Sequence, residues 1–135
     1  MVWSPLAGGY LSGKYEGPNV SEENRRAKFD FPPVNRECGS EVIKVMQEIA
    51  GVKQIAGEPV NVAQVALAWL LHQKAVTSII IDARRPDQLK VNIRAAQIRL
   101  SDGELAVMDE GTRLPEEYPS WMMKKMAGYR DHMKE

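Results

Sequence analysis

The sequence predicts an α/β fold that is rich in helix and has short strands. One segment, residues 76–81, reads VTSIII and is dominated by β-branched residues, which is typical of a strand covered on both faces in a parallel sheet. Apolar residues recur at helical spacing on both sides of this segment. We therefore expect a single domain, residues 1–135, in which helices surround a core strand.

The composition is that of one ordinary soluble domain. The chain has 135 residues, of which 44% are hydrophobic and 27% charged, and its 18 basic residues balance its 18 acidic residues. A zero net charge argues against a general attraction to nucleic acid. The local net charge of +3 over residues 84–94 is offset by a net charge of −5 over residues 101–117, so we expect no nucleic-acid partner.

The sequence also disfavours a membrane protein and a metal-binding protein. The sequence lacks an apolar run of the roughly 18 residues that a membrane span needs, and its start, MVWSPLAGG, does not resemble a signal peptide. We therefore expect no membrane association and a cytoplasmic protein. A single cysteine, Cys38, excludes an internal disulfide, and with two distant histidines, His72 and His132, it makes no zinc pattern, so no metal site is expected.

The first 40 residues are predicted to contain little regular structure. Residues 1–15 read as a short strand, Val2–Ser4, which Pro5 ends, followed by a glycine-rich loop. Residues 16–40 contain three prolines and mixed charges without a sustained period, which indicates a long loop.

Residues 41–113 are predicted to hold helices around the core strand. Ser40 is the expected cap of a helix over residues 41–54, and Asn61 with Gln64 has the spacing of a capping box that starts a buried helix over residues 61–73. Pro86 suits the first turn of a helix over residues 86–97. Ser101 with Glu104 forms a second capping box for a helix over residues 101–111.

The tail, residues 114–135, is predicted to form a helix. Met122, Met126, Tyr129 and Met133 recur at helical spacing. This stripe has two interpretations: it packs on its own domain, or its flexible thioethers form a surface for a partner.

Four segments, taken together and in order, resemble the C-terminal part of an aldo-keto reductase. They are WSPLAGGYLSGKY at residues 3–15, FDFPP at residues 29–33, VAQVALAWLL at residues 62–71 and VTSIIIDARRPDQLKVNI at residues 76–93. The resemblance implies an NADP(H)-dependent oxidoreductase domain with a (β/α)₈, or TIM, barrel, of which this chain would supply the last two strand-helix units. Since a complete barrel takes about 250 residues, half or more of it would lie outside this sequence.

The same resemblance implies that no residue here is catalytic. The family's catalytic tyrosine, lysine, aspartate and histidine come from earlier strands, so whether this chain is an enzyme by itself stays open. What the resemblance does imply is part of an NADP(H) site.

At the start of the chain, Trp3 corresponds to a ring that stacks on the nicotinamide, and Ser4, Leu6, Gly8 and Lys14 to a loop around the pyrophosphate. Core packing of the tryptophan and a simple turn with a solvated lysine are the alternatives.

The second half of the implied site lies at residues 84–92. Arg84, Gln88 and Asn92 are spaced by four, so they share one edge of a helix, and the resemblance assigns them to the adenosine 2′-phosphate and adenine. A solvated basic helix face is the alternative.

Three features depart from the family pattern. Asp82 replaces a usual glycine and would repel phosphate unless Arg84 or Arg85 neutralises it, Val91 replaces an acidic or amide residue, and the connection at residues 51–61 is longer.

A piece of a barrel would expose strand edges and an apolar face. We therefore expect a homo-oligomer, or pairing with a missing N-terminal half of a reductase. We also expect a helix-rich structure, because helical patterns are local whereas strand pairing is not.

Two functions remain. The first is a reductase fragment that keeps part of the NADP(H) site and is inactive alone, and the second is an oligomeric interaction module. A new kind of enzyme formed by oligomerisation has the least support.

Overall fold

The computed structural model describes residues 1–15, 32–83, 85–113 and 118–131. Most of the loop predicted at residues 16–40 lies outside these ranges, as do Arg84, His132 and Met133.

The described residues form a helix-rich structure with only short strands, as the sequence predicted. The helices are α1 (Arg36–Val52), α2 (Val62–His72), α3 (Pro86–Ile93), α4 (Asp102–Gly111) and α5 (Ser120–Asp131), and the strands are β1 (Gln54–Ile55) and β2 (Glu58–Pro59). Two 3₁₀ helices, Ala7–Ser12 and Arg94–Gln97, complete the set of helices. None of the helices in the described residues is long and apolar enough to span a membrane.

Helix α1 begins five residues before its predicted start at Glu41. Asn35 is the residue that caps it, because its side chain accepts a hydrogen bond of 3.2 Å from the Cys38 N–H. Ser40 therefore lies inside the helix, and the prediction that it caps the helix is wrong. The helix also ends at Val52, two residues before the predicted end.

The two predicted capping boxes are both confirmed. The Gln64 N–H donates to Asn61 Oδ1 at 2.9 Å and the Asn61 N–H donates back to Gln64 Oε1 at 3.0 Å. Ser101 and Glu104 make the same reciprocal pair at the start of α4. These contacts are encoded within four residues, which is why the sequence alone places the starts of α2 and α4.

The core lies where α1, α2 and α4 meet. Ile43, Met46, Val65 and Leu67 are almost completely buried, and Met108 joins them from α4. The predicted burial of the α2 segment is confirmed. The two-residue strands β1 and β2 form an antiparallel hairpin that fills the long connection between α1 and α2.

The prediction that residues 76–81 form a core strand buried on both faces is wrong. This segment makes one parallel bridge, between Ile79 and Val2, and Ile80 is 46% exposed. The predicted strand Val2–Ser4 is likewise reduced to this bridge. A parallel strand becomes buried only when neighbouring strands and helices cover it, and the described residues provide one partner.

Helix α5 confirms that the tail contains a helix. Met122 and Met126 are 39% and 50% exposed, so this part of the methionine stripe is not buried on the domain. The side chain of Tyr129 lies outside what the structure describes. The described part of the stripe therefore faces solvent.

Candidate cofactor site

The bridge between Val2 and Ile79 positions the two walls of a cleft. The Val2 N–H donates to the Ser78 carbonyl at 3.0 Å, and the Ile80 N–H donates to the Val2 carbonyl at 2.9 Å. Because the two segments run parallel, the chain leaves both of them at the same end. Trp3 onward forms one wall and Ile80 onward the other, and together they line a cleft of about 550 Å³. This volume lies within the range of small-molecule sites.

The first wall is a loop with an unusual backbone. Ser4 and Ala7 have φ values of 54° and 49°, and Gly8 and Gly9 follow with 65° and 91°. A left-handed conformation at a non-glycine residue costs of the order of 1–3 kcal/mol, and such residues cluster at functional sites. The Ser4 hydroxyl accepts a hydrogen bond of 3.3 Å from the Gly8 N–H, which closes the loop. The loop brings Trp3, which is 67% exposed, to the cleft.

Lys14 brings a positive charge to the first wall. A Cβ added at Gly9 would lie 3.5 Å from the Lys14 Nζ, and the same Nζ lies 5.1 Å from the centre of the Tyr15 ring. The ammonium group is thus held beside the glycine backbone and a ring face. An ammonium next to an open backbone is a suitable arrangement for a phosphate group.

The second wall continues from Ile80 through Asp82 and Arg85 into α3. Arg85 precedes Pro86, the first residue of α3, and its extended backbone (φ −129°, ψ 141°) starts the helix. Gln88 and Asn92 follow one helical turn apart, and both line the cleft. Helix α3 is held in place because Gln64, a buried side chain of α2, donates from Nε2 to the Val91 carbonyl at 2.9 Å.

The structure brings seven of the eight predicted site residues to this one cleft. Its lining includes residues of both halves of the predicted site: Trp3, Ser4, Leu6, Gly8, Lys14, Gln88 and Asn92. The eighth, Arg84, lies outside the described residues. These residues are far apart in the sequence, so their meeting is a result of the fold.

The sequence reasoning missed Arg85, which also lines the cleft. Two adjacent arginines cannot be told apart by composition, and counting in fours from Asn92 selects Arg84. The available signal was Pro86. The residue before a proline is extended, and here it is the cap of α3, so its side chain starts at the helix end that faces the cleft.

Other candidate groups have structural roles. His72 uses both ring nitrogens, since Nδ1 lies 2.8 Å from the Ala68 carbonyl and Nε2 accepts from the Leu100 N–H at 3.4 Å. Cys38 Sγ donates to the Gly111 carbonyl at 3.1 Å. Among the described residues, no group of three or more His, Cys, Asp or Glu side chains is placed to hold a metal.

Comparison with known proteins decides the family. The model of the aldo/keto reductase family matches residues 1–112, a segment that contains every lining residue of the cleft. The chain belongs to the aldo/keto reductase family.

Relatives of this reductase-family chain include a probable voltage-gated potassium channel subunit beta from Arabidopsis thaliana. It is 36% identical over 98 residues, which cover 72% of this chain and 29% of the relative. An L-glyceraldehyde 3-phosphate reductase from Escherichia coli O157:H7 is 32% identical over 116 residues, covering 82% of this chain and 32% of the relative. This reductase-family chain thus spans about 30% of the length of these relatives, and its family implies that it corresponds to part of a TIM barrel.

Proposed function

We propose that this chain forms the C-terminal part of a nicotinamide-dinucleotide site, with NADP(H) as the expected cofactor, and that it corresponds to the last two strand-helix units of the barrel. The observation that supports this most strongly is the convergence of Trp3, Lys14, Arg85 and Gln88 on one cleft. Their positions in the sequence differ by up to 85 residues, and their chemistry matches the parts of one ligand.

The residues present fit such a cofactor. The exposed Trp3 ring offers a flat apolar face for the nicotinamide. Lys14 and the backbone at Gly8 and Gly9 offer a cation and an open surface for the pyrophosphate. Arg85 and the amide of Gln88 suit the adenosine end, where a planar guanidinium and an amide bind phosphate and base edges. When bound, the cofactor supplies a hydride donor or acceptor.

The chain's own contribution is binding and orientation. Stacking on Trp3 restricts the nicotinamide to one plane, and the cations hold the phosphates so that the ring cannot drift along the cleft. We propose that carbonyl reduction needs residues from outside this sequence, because this chain spans about 30% of the length of its relatives. The chain alone is then a binding unit without turnover.

Calorimetric titration of the 135-residue chain with NADPH tests the proposal. We expect saturable binding that weakens at least roughly tenfold in Lys14→Gln, since a charge-assisted contact is worth about 1.5–3 kcal/mol and about 1.4 kcal/mol corresponds to a factor of ten. Lys44→Gln is the matched control, because Lys44 is an exposed lysine of α1 that does not line the cleft. Equal affinities for the chain and both variants, or no binding, would refute the proposed site.

An oxidation assay tests the second part of the proposal. NADPH absorbance is followed in the presence of the chain and a panel of aldehydes. We expect no turnover above the uncatalysed rate. Steady NADPH consumption that disappears in Lys14→Gln but persists in Lys44→Gln would contradict the view that the chain is inactive alone.

A second candidate function is self-association as an interaction module. It is favoured by the exposed apolar side chains of α5, which are Trp121, Met122, Met123 and Met126. Light scattering at micromolar concentration tests it, with Met122→Glu expected to shift the mass toward the monomer. Val107→Glu is the control, because Val107 is also an exposed apolar residue but lies on α4. A monomer at every concentration would exclude this function.

A further inference from the structure

The two walls of the cleft differ in the charged side chains that their described residues contribute. Among the described lining residues, the charged side chains are Lys14, Asp82 and Arg85. Lys14 belongs to the wall formed by the first loop, whereas Asp82 and Arg85 lie three residues apart on the other wall. Among the described residues, the adenosine end in the proposed function therefore contains one cation and one carboxylate.

Asp82 forms no ion pair with the described cations. The ion pairs of the described residues join Lys53 to Glu104, Arg94 to Glu58 and Arg113 to Glu110, and none of them involves Asp82 or Arg85. Asp82 is an exposed residue at the rim of the cleft. Its charge therefore acts on whatever occupies this end of the cleft.

A nicotinamide dinucleotide exists in two forms that differ in charge at this end. The pyrophosphate carries about two negative charges in both forms, and it faces Lys14 in the proposed arrangement. A 2′-phosphate adds about 1.5 to 2 further negative charges near neutral pH. That extra charge would meet Arg85 and Asp82 together, and the attraction of the first is opposed by the repulsion of the second.

A carboxylate also interacts differently with the unphosphorylated ribose. Ribose hydroxyls are hydrogen-bond donors, and a carboxylate accepts from them, as acidic residues do in other dinucleotide sites. Phosphorylation of the 2′-hydroxyl removes that donor and replaces it with an anion. Both effects act in the same direction.

We propose that Asp82 is a specificity-determining residue that shifts the preference of the cleft away from a 2′-phosphorylated dinucleotide and toward the unphosphorylated form. This inference rests on the proposed function, and it limits the advantage that NADP(H) would otherwise have. It assigns to Asp82 a role in binding and none in a chemical step.

The test compares NADH and NADPH affinities of the chain and of Asp82→Asn by calorimetry at constant ionic strength. The substitution keeps the shape and removes the charge of an exposed residue. We expect NADPH to bind roughly three- to tenfold more tightly, as for loss of a partly screened like-charge contact, while NADH affinity changes less than about twofold or falls slightly. Higher salt should reduce the gain for NADPH.

Asp87→Asn is the matched control. Asp87 is an exposed aspartate in the first turn of α3 that does not line the cleft, and its replacement changes the total charge by the same amount. We expect the ratio of the two affinities to stay within about twofold in this variant.

Two unfavourable results are distinguishable. If both nucleotides bind and Asp82→Asn leaves their ratio unchanged, or changes it no more than Asp87→Asn does, the role of Asp82 is overturned and the proposed function stands. If neither nucleotide binds to the chain or to either variant, the proposed function is overturned and the role of Asp82 with it.

Discussion

Gly39 of α1 packs directly against the ring of Tyr10 in the first loop. A Cβ added at Gly39 would lie 2.5 Å from Tyr10 Cε1 and 3.1 Å from both Cζ and the hydroxyl oxygen. Tyr10 is buried, and its hydroxyl donates to the Arg36 carbonyl at 3.3 Å. This contact fixes the loop that forms the first wall of the cleft to the helical core, so a glycine that does not itself line the cleft contributes to its shape.

Gly39→Ala should therefore destabilise the protein by about 1–3 kcal/mol, because the buried ring cannot move without losing its packing and its hydrogen bond. Chemical denaturation measures this change. Gly51→Ala is the control, since no atom lies within 4 Å of the added Cβ in the same helix and alanine is the better helix former. An equal effect of the two substitutions would contradict the role of the Tyr10 contact.

Gln64 links the start of α2 to the α3 wall of the cleft. In Gln64→Leu the Val91 carbonyl loses its donor and Asn61 loses its reciprocal contact, so we expect a loss of about 1–3 kcal/mol in the free energy of unfolding. Gln97→Leu, at an exposed position, should change the free energy of unfolding by no more than about 0.5 kcal/mol. A Gln64→Leu protein as stable as the parent would show that this link is dispensable.

Glu104 makes stability depend on pH. Partial burial raises its pKa, but hydrogen bonds from Ser101 and Lys53, together with the Lys53 charge at 3.0 Å, lower the pKa more, so the pKa lies below its ordinary value of 4.5. Because the folded-state pKa is the lower one, the ionised group stabilises the fold above the unfolded-state pKa, and this contribution is lost as the pH falls through the folded-state pKa.

Thermal unfolding of the parent and Glu104→Gln over a series of pH values checks the sign. We expect the parent to be more stable near neutral pH and the difference to narrow in acid. A difference that grows as the pH falls would mean that the folded protein raises the pKa of Glu104.

The parts of the fold that the sequence predicted are those encoded locally. The capping boxes of Asn61 and Ser101 and the apolar α2 segment are complete within a few residues, so pattern and structure agree. The start of α1 was misplaced because Asn35 and Ser40 are both suitable caps, and only the position of the preceding chain selects Asn35.

The remaining errors concern contacts between distant segments. The β-branched run at residues 76–81 has strand propensity, but burial depends on neighbours, and the described residues give it a single bridge to Val2. The candidate site was predicted by resemblance more than by residue chemistry. That route found seven of the residues that line the cleft and missed Arg85, whose place depends on the geometry before Pro86.

The most direct test of the proposed site is an NMR titration of the ¹⁵N-labelled chain with NADPH, in which the chemical shift of each backbone amide is followed. We predict that the amides of Gly8, Gly9, Lys14, Gln88 and Asn92 shift together with saturation, because all five residues line the cleft. The amides of α4, none of whose residues lines the cleft, should stay unchanged. Shifts centred on α4 or α5, or none at millimolar NADPH, would contradict the assignment of this cleft as a dinucleotide site.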